Sequence, residues 1–211
     1  RNGCADGTTG TAPLGGGIYN NGGQLTITNS TISGNRANDD GGGIENWGNM
    51  GIINSTISGN RANDDGGGIE NWGNMGIINS TISGNRANDD GGGIENLGNV
   101  AIINSTISGN TSSANNSGGG IHNKGTVNAS FVTIANNTGG SGGSGGIRNG
   151  SGGTFNIKNS IVAGNTVGGS PNNCSIVPGT TFTPSGVNFA DDSTCTGFSN
   201  NNTPLTSLNL Q

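Results

Sequence analysis

Residues 41–65, GGGIENWGNMGIINSTISGNRANDD, recur letter for letter as residues 66–90, and residues 91–110 continue with GGGIENLGNVAIINSTISGN. Looser copies open at Gly15, Gly118 and Gly145, so the chain holds six units of 25 to 27 residues. A fixed period of this size describes stacked or arrayed units, none of which can bury its apolar side chains without a neighbour. Propeller blades need about 40 residues or more, and paired-helix repeats about 33 or more. Helices are further disfavoured because the units are built from Gly, Asn and β-branched residues. Leucine-rich repeats are excluded by the near absence of leucine from the units. A β-solenoid remains.

Composition then removes other classes. Glycine supplies 45 of 211 residues, yet never at every third position, so collagen is excluded. No apolar run approaches the ~18–20 residues of a membrane-spanning helix, which predicts no membrane insertion. Seven scattered basic residues against a net charge of −5 give no footprint for nucleic acid.

Aligning the units produces columns. The apolar ones are Ile18, Ile44, Ile69, Ile94, Ile121, Ile147; then Leu25, Met50, Met75, Val100, Val127, Phe155; then Ile27, Ile52, Ile77, Ile102, Ala129, Ile157; then Ile32, Ile57, Ile82, Ile107, Ile134, Val162. The step of two between the second and third columns is strand alternation, with both side chains directed inward. Each coil is expected to carry strands near 17–19, 24–28 and 30–33, paired in parallel with the next coil at ~4.8 Å. Six coils make a rod about 30 Å long.

Two asparagine columns run unbroken through all six units: Asn20, Asn46, Asn71, Asn96, Asn123, Asn149 and Asn35, Asn60, Asn85, Asn110, Asn137, Asn165. A third, Asn29, Asn54, Asn79, Asn104 and Asn159, is interrupted by Phe131. Asparagine tolerates left-handed backbone, and its amide both donates and accepts, so stacked copies can bond along the axis. These ladders are structural. Of three cysteines, Cys174 and Cys195 lie in the one segment that does not repeat, which favours a disulfide clamp and an oxidising compartment, with Cys4 left over. A chain beginning at Arg1 without Met reads as a processed, secreted form. Residues 1–14 are expected to be an N-terminal cap or inter-subunit segment, 15–165 the repeats, and 166–211 the last rung and C-terminal cap.

The pattern GGGIxNxG…NSTISGN resembles the repeats of secreted bacterial right-handed parallel β-helix proteins, including the polymorphic outer-membrane protein type, whose fold is that of the pectin-lyase-like superfamily. The tail NSIVAGNTVGGSPNNCSI…GVNFADDSTCTGF is similar to the last rung and cysteine-bearing end of such proteins. The resemblance implies a right-handed parallel β-helix of six to seven coils with a disulfide-bearing C-terminal cap. It leaves function open, because that architecture hosts lyases, hydrolases, adhesins and passive stalks.

The outer surface carries four candidate features. Asp39/Asp40, Asp64/Asp65 and Asp89/Asp90 occupy the same turn of three successive coils, preceded by Arg36, Arg61 and Arg86. Stacked carboxylates repel unless neutralised, and pairing with the arginines is the expectation, with Ca²⁺ bridging the rungs as the alternative. No other cofactor is implied. A second column, Tyr19, Glu45, Glu70, Glu95, His122, Arg148, is expected to face outward, and Lys124 lies beside it. Glu95, His122, Lys124 and Arg148 form the one acid–His–base neighbourhood, read as a salt-bridged surface or else as a proton-transfer site beside a glycan. Trp47 and Trp72 align with Leu97, while Ile53, Ile78 and Ile103 form a second outward apolar file; together they mark a binding or assembly face unless a loop covers them. Finally, Thr31, Thr56, Thr81, Thr106 and Thr133 stand in a straight file beside Ser33, Ser58, Ser83 and Ser108, an array that resembles some ice-binding faces.

The resulting expectation is a secreted, non-enzymatic structural or adhesive β-helix, associating with copies of itself head-to-tail into fibres through the solenoid ends, or through the apolar stripe. A polysaccharide-binding or polysaccharide-cleaving protein of the same fold is the alternative, and ice binding a remote one.

Overall fold

The computed structural model describes residues 4–5 and 15–198. The chain coils into a parallel β-solenoid of about seven turns, with no helix among the described residues. Each full turn contributes one strand to each of four sheets. One sheet stacks Ile18–Asn20, Ile44–Asn46, Ile69–Asn71, Ile94–Asn96, Ile121–Asn123, Ile147–Asn149 and Cys174–Ile176. The second runs from Gln24–Thr28 to Thr181–Ser185 and the third from Thr31–Ser33 to Phe189–Ala190. Every pairing from Ile18 to Ala190 within these three sheets is parallel and joins equivalent repeat positions, such as Ile69 with Ile44 and Ile94.

The fourth sheet adds to the three strands per coil expected from sequence. It is built of two-residue strands such as Arg36–Ala37, Arg61–Ala62 and Arg86–Ala87, and Cys4–Ala5 joins its N-terminal edge. Its inward residue is alanine, and Ala37, Ala62 and Ala87 are fully buried. A two-residue strand with a small inward side chain leaves no alternation to read, which is why the pattern does not announce it.

All four expected apolar columns point into the bore. From Ile44 onward the isoleucines of the first, third and fourth columns are wholly inaccessible, whereas Ile18 and Leu25 in the first described coil are only half-buried. Uniform packing follows from the register: in the coils that open at Ile44 and Ile69, each inward isoleucine lies between two copies of itself, one strand spacing away. Coils approach so closely at the glycine run that a Cβ on Gly67 would stand 2.3 Å from the Arg86 carbonyl carbon. No side chain fits there.

The asparagine ladders form as expected. Amide Nδ2 atoms donate to the next Oδ1 along Asn20, Asn46, Asn71, Asn96, Asn123 and Asn149 at 2.7–2.8 Å. The second ladder, from Asn35 to Asn165 at 2.9–3.0 Å, continues to Asn173, whose own amide donates to Asp191. A serine file, Ser55, Ser80 and Ser105, is equally buried and accepts backbone N–H groups from the preceding rung. That file has no distinguishing mark in sequence beyond its period.

The C-terminal end is closed. A disulfide joins Cys174 to Cys195, and Phe198 stacks on Phe182, which in turn leans on Phe155 in the bore. Two terminal edge strands contain proline: Ser170–Pro171, the one antiparallel strand among the described residues, and Thr181–Ser185 with Pro184. Proline lacks the N–H that a further strand would need, so these edges resist extension. The proposed N-terminal cap, apart from the backbone of residues 4–5, and the tail beyond 198 lie outside the described residues, as does any partner of the Cys4 thiol.

Candidate functional site

Turns between the first and second sheets set out the apolar stripe. Trp47 and Trp72 hold equivalent positions on consecutive rungs, and their rings stack with centroids 4.9 Å apart and planes 11° from parallel. The spacing is that of the strands beneath them. They are 47% and 43% exposed, with Leu97 half-buried next in file. Each indole Nε1 donates to the glutamate of its own rung at 2.6 Å, Trp47 to Glu45 and Trp72 to Glu70. Stacking hides one face of each ring from solvent and leaves the rest of both side chains partly open. Ile53, Ile78 and Ile103 form the second stripe at the far end of the second sheet, Ile103 being the most exposed.

Between the stripes lies a shallow groove of roughly 370 Å³. Its floor is Gly51, Gly76 and Ala101, where the outward side chain is missing or minimal. One wall is Asn49, Asn74 and Asn99, whose amides bond rung to rung at 3.0 Å.

The acidic column behaves differently from its sequence expectation. Glu45, Glu70, Glu95 and His122 do not face water; all are buried, Glu70 at 2% and Glu95 at 0% exposure. The Asp–Asp–Gly turn folds back over them. Gly66 takes φ +62° there, and a Cβ on it would stand 2.7 Å from the Glu70 backbone nitrogen. A turn that closes through left-handed glycine casts no hydrophobic pattern, so the covering could not be read from the column.

The arginines also depart from expectation. Arg36 donates to Asn63, Arg61 to Asn88 and Arg86 to Ser113, each on the next rung, and none forms an ion pair with an aspartate. Every ion pair among the described residues lies instead at one end of the seam. Lys124 Nζ stands 2.9 Å from Asp90 Oδ2 and 2.8 Å from Glu95 Oε1, and His122 Nδ1 stands 2.9 Å from Asp90 Oδ1. Burial works to raise Asp90, but His122 and Lys124 outweigh it and hold its carboxyl at about 2. Burial likewise opposes the charge on Lys124, which Glu95 and Asp90 push above its ordinary value.

One rung and two rungs back there is no such cation. Burial first, then the charge of Asp40, pushes Glu70 up to about 8. Burial, the Asp39 charge and the Asp65 charge raise Asp40 to about 7 despite the Asp65 N–H that it accepts. Asp64 and Asp89 are raised as well, again mainly by burial and then by the adjoining aspartates.

Of the four residues read as an acid–His–base site, the structure brings Glu95, His122 and Lys124 together and adds Asp90. Arg148 turns away to donate to Ser175. The other nitrogen of His122 is roofed by residue 150, where a Cβ would stand 2.8 Å from Nε2. The cluster is an ion-pair network in which Glu95 and His122 are buried while the Lys124 side chain stays 37% exposed. Asp90 was distinguishable from Asp40 and Asp65 only through the neighbours that the fold supplies.

The threonine file stands in register on the third sheet, Thr31 exposed and the rest half-buried, with Ser33, Ser58, Ser83 and Ser108 alongside. No protein-family model, curated protein or solved structure matches the chain.

Proposed function

We propose that this chain is a non-enzymatic structural or adhesive rod of an oxidising, extracellular setting, whose lateral apolar face seats another copy of itself. The observation that carries the reading is the stacked Trp47–Trp72 pair, two large aromatic side chains left nearly half exposed on an otherwise rigid surface. Large rigid aromatics on a preformed surface lose little entropy when covered, which is what an interface anchor needs. The disulfide at Cys174–Cys195 supports the setting. The proline-bearing, Phe-stoppered C-terminal end favours side-by-side contact over end-to-end growth through that face.

Sedimentation velocity and electron microscopy across a concentration series test this reading. Concentration-dependent association that a Trp47→Ser/Trp72→Ser variant abolishes is expected. A strictly monomeric wild type, or association unaffected by the double substitution, overturns it. Two surface features favour other readings. The groove walled by Asn49, Asn74 and Asn99 favours a glycan ligand, checked by titration with soluble polysaccharides. The Thr-x-Ser face favours ice binding, checked by thermal hysteresis.

A further inference from the structure

The ion-pair network at the end of the acidic seam carries an inference independent of the rod's partner. Glu95 and His122 are paired directly across adjacent strands, Ile94–Asn96 and Ile121–Asn123, and Asp90 reaches them from the turn that folds over the seam. Lys124 Nζ takes one oxygen of each acid, Asp90 Oδ2 and Glu95 Oε1. Asp90 Oδ1, Glu95 Oε2 and the imidazole remain. Glu95 is 0% and His122 5% exposed, yet neither Glu95 Oε2 nor His122 Nδ1 makes a hydrogen bond. A buried oxygen and a buried nitrogen without partners are costly to keep.

The imidazole supplies the direction. Its Nδ1 stands 2.9 Å from Asp90 Oδ1, well within range, but no hydrogen bond forms between them. The oxygen therefore lies off the axis along which Nδ1 would donate. Two neighbouring ligands of one metal ion are related in this way: bound at right angles at about 2.1 Å they stand about 3 Å apart, each pointing at the ion rather than at the other. One ligand atom from each of Asp90, Glu95 and His122 lies within 4.8 Å of the other two. His122 is the chain's one histidine, standing where Glu45, Glu70 and Glu95 stand on the rungs before it, so this donor set occurs once.

We propose that Asp90, Glu95 and His122 bind one divalent transition-metal ion of the zinc type, through Asp90 Oδ1, Glu95 Oε2 and His122 Nδ1. An imidazole among carboxylates selects such an ion over calcium, whose ligands are all oxygens. Lys124 is a positioning residue: by holding the other oxygen of each acid it fixes both carboxyl groups, as hydrogen-bond partners of metal ligands do. Water completes the coordination from the side where Lys124 is exposed. The ion pins the Asp89–Asp90 turn to two successive strands and gives the orphaned atoms their partner.

The test is zinc titration of the whole chain at pH 7.5, free of any affinity tag and treated with chelator. Calorimetry should show one saturable site, and the NMR ring signals of His122, the one imidazole, should shift in step with it. His122→Gln places a glutamate-shaped side chain where the three preceding rungs carry glutamate, so the fold accommodates it. That variant and Glu95→Gln should each weaken binding at least tenfold. Asp64→Asn, in the exposed turn where carboxylates alone of Asp39, Asp40 and Asp64 converge, should leave binding unchanged. Should a variant fail to fold, the ring signals of the unaltered chain still decide. No saturable binding at millimolar zinc, His122 signals that stay in place at saturation, or binding lost in Asp64→Asn and kept in His122→Gln would each overturn the proposal.

Discussion

Phe131 stands where Asn29, Asn54, Asn79, Asn104 and Asn159 turn the chain with φ of 47–50°, and it adopts φ 57° itself with 58% of its surface exposed. Left-handed backbone costs a non-glycine residue roughly 1–2 kcal/mol, less for Asn, whose short amide bonds locally. Phe131→Asn should therefore stabilise the protein by about 1 kcal/mol, seen as a rise in Tm of about 2–4 °C. It would also return an amide to a file in which Asn104 already donates to Asn79 at 2.9 Å. A fall in Tm would mean that the exposed ring contributes packing that outweighs the strain. The buried ladders predict the reverse sign. Asn71, itself fully buried, accepts from Asn46 and donates to Asn96 in buried bonds and to the part-buried Gly73 carbonyl. Asn71→Leu strands several of these groups at once and should cost about 3 kcal/mol or more in urea unfolding. The exposed counterpart Asn74→Ala should stay within about 0.5 kcal/mol. The same amide, at two depths, is worth very different amounts.

At the scale of strands and turns, the acidic seam determines the response to pH. Burial raises Glu70 to about 8 and Asp40 to about 7 in the folded rod, both above their ordinary values. The native state thus holds protons that the unfolded chain releases from about pH 4 upward. Their favourable contribution is complete below that range and is lost as pH rises through 7 to 8. Asp90, held near 2, works the other way and matters only in strong acid. The protein should melt several degrees lower at pH 9 than at pH 5, and Glu70→Gln should flatten that slope; a Tm that rises across the interval would contradict the burial of these acids. The inward isoleucine columns and both asparagine ladders were legible because each is a strict period imposed by register. The two-residue strands at Arg36–Ala37 and its copies, the cover over Glu70, and the reach of Arg61 to Asn88 were not. Those depend on how tightly the chain turns between strands, which glycine permits without recording the direction.

For the molecule as a whole, every coil touches only its two neighbours, so stability should accumulate coil by coil rather than through one indivisible core. Residues 66–90 repeat residues 41–65 exactly in composition and order, and the strands on either side meet at the same repeat positions. Excising 66–90 therefore joins a coil to a neighbour with the same inward side chains: Ile44 meets Ile94, Ile52 meets Ile102 and Ile57 meets Ile107 in place of their lost copies. The Asn46 and Asn60 amides would find Asn96 and Asn110 as their acceptors. Such a deletion should fold, shorten the rod by about 4.8 Å in small-angle scattering, and lower the urea m-value in proportion to the surface no longer buried. It should also remove one of the two stacked indoles and one acidic rung, so any association through the tryptophan pair weakens in the same variant. Failure of this chain to fold, with the C-terminal disulfide and Phe198 stopper untouched, would mean that the coils are not interchangeable and that something other than register sets their order.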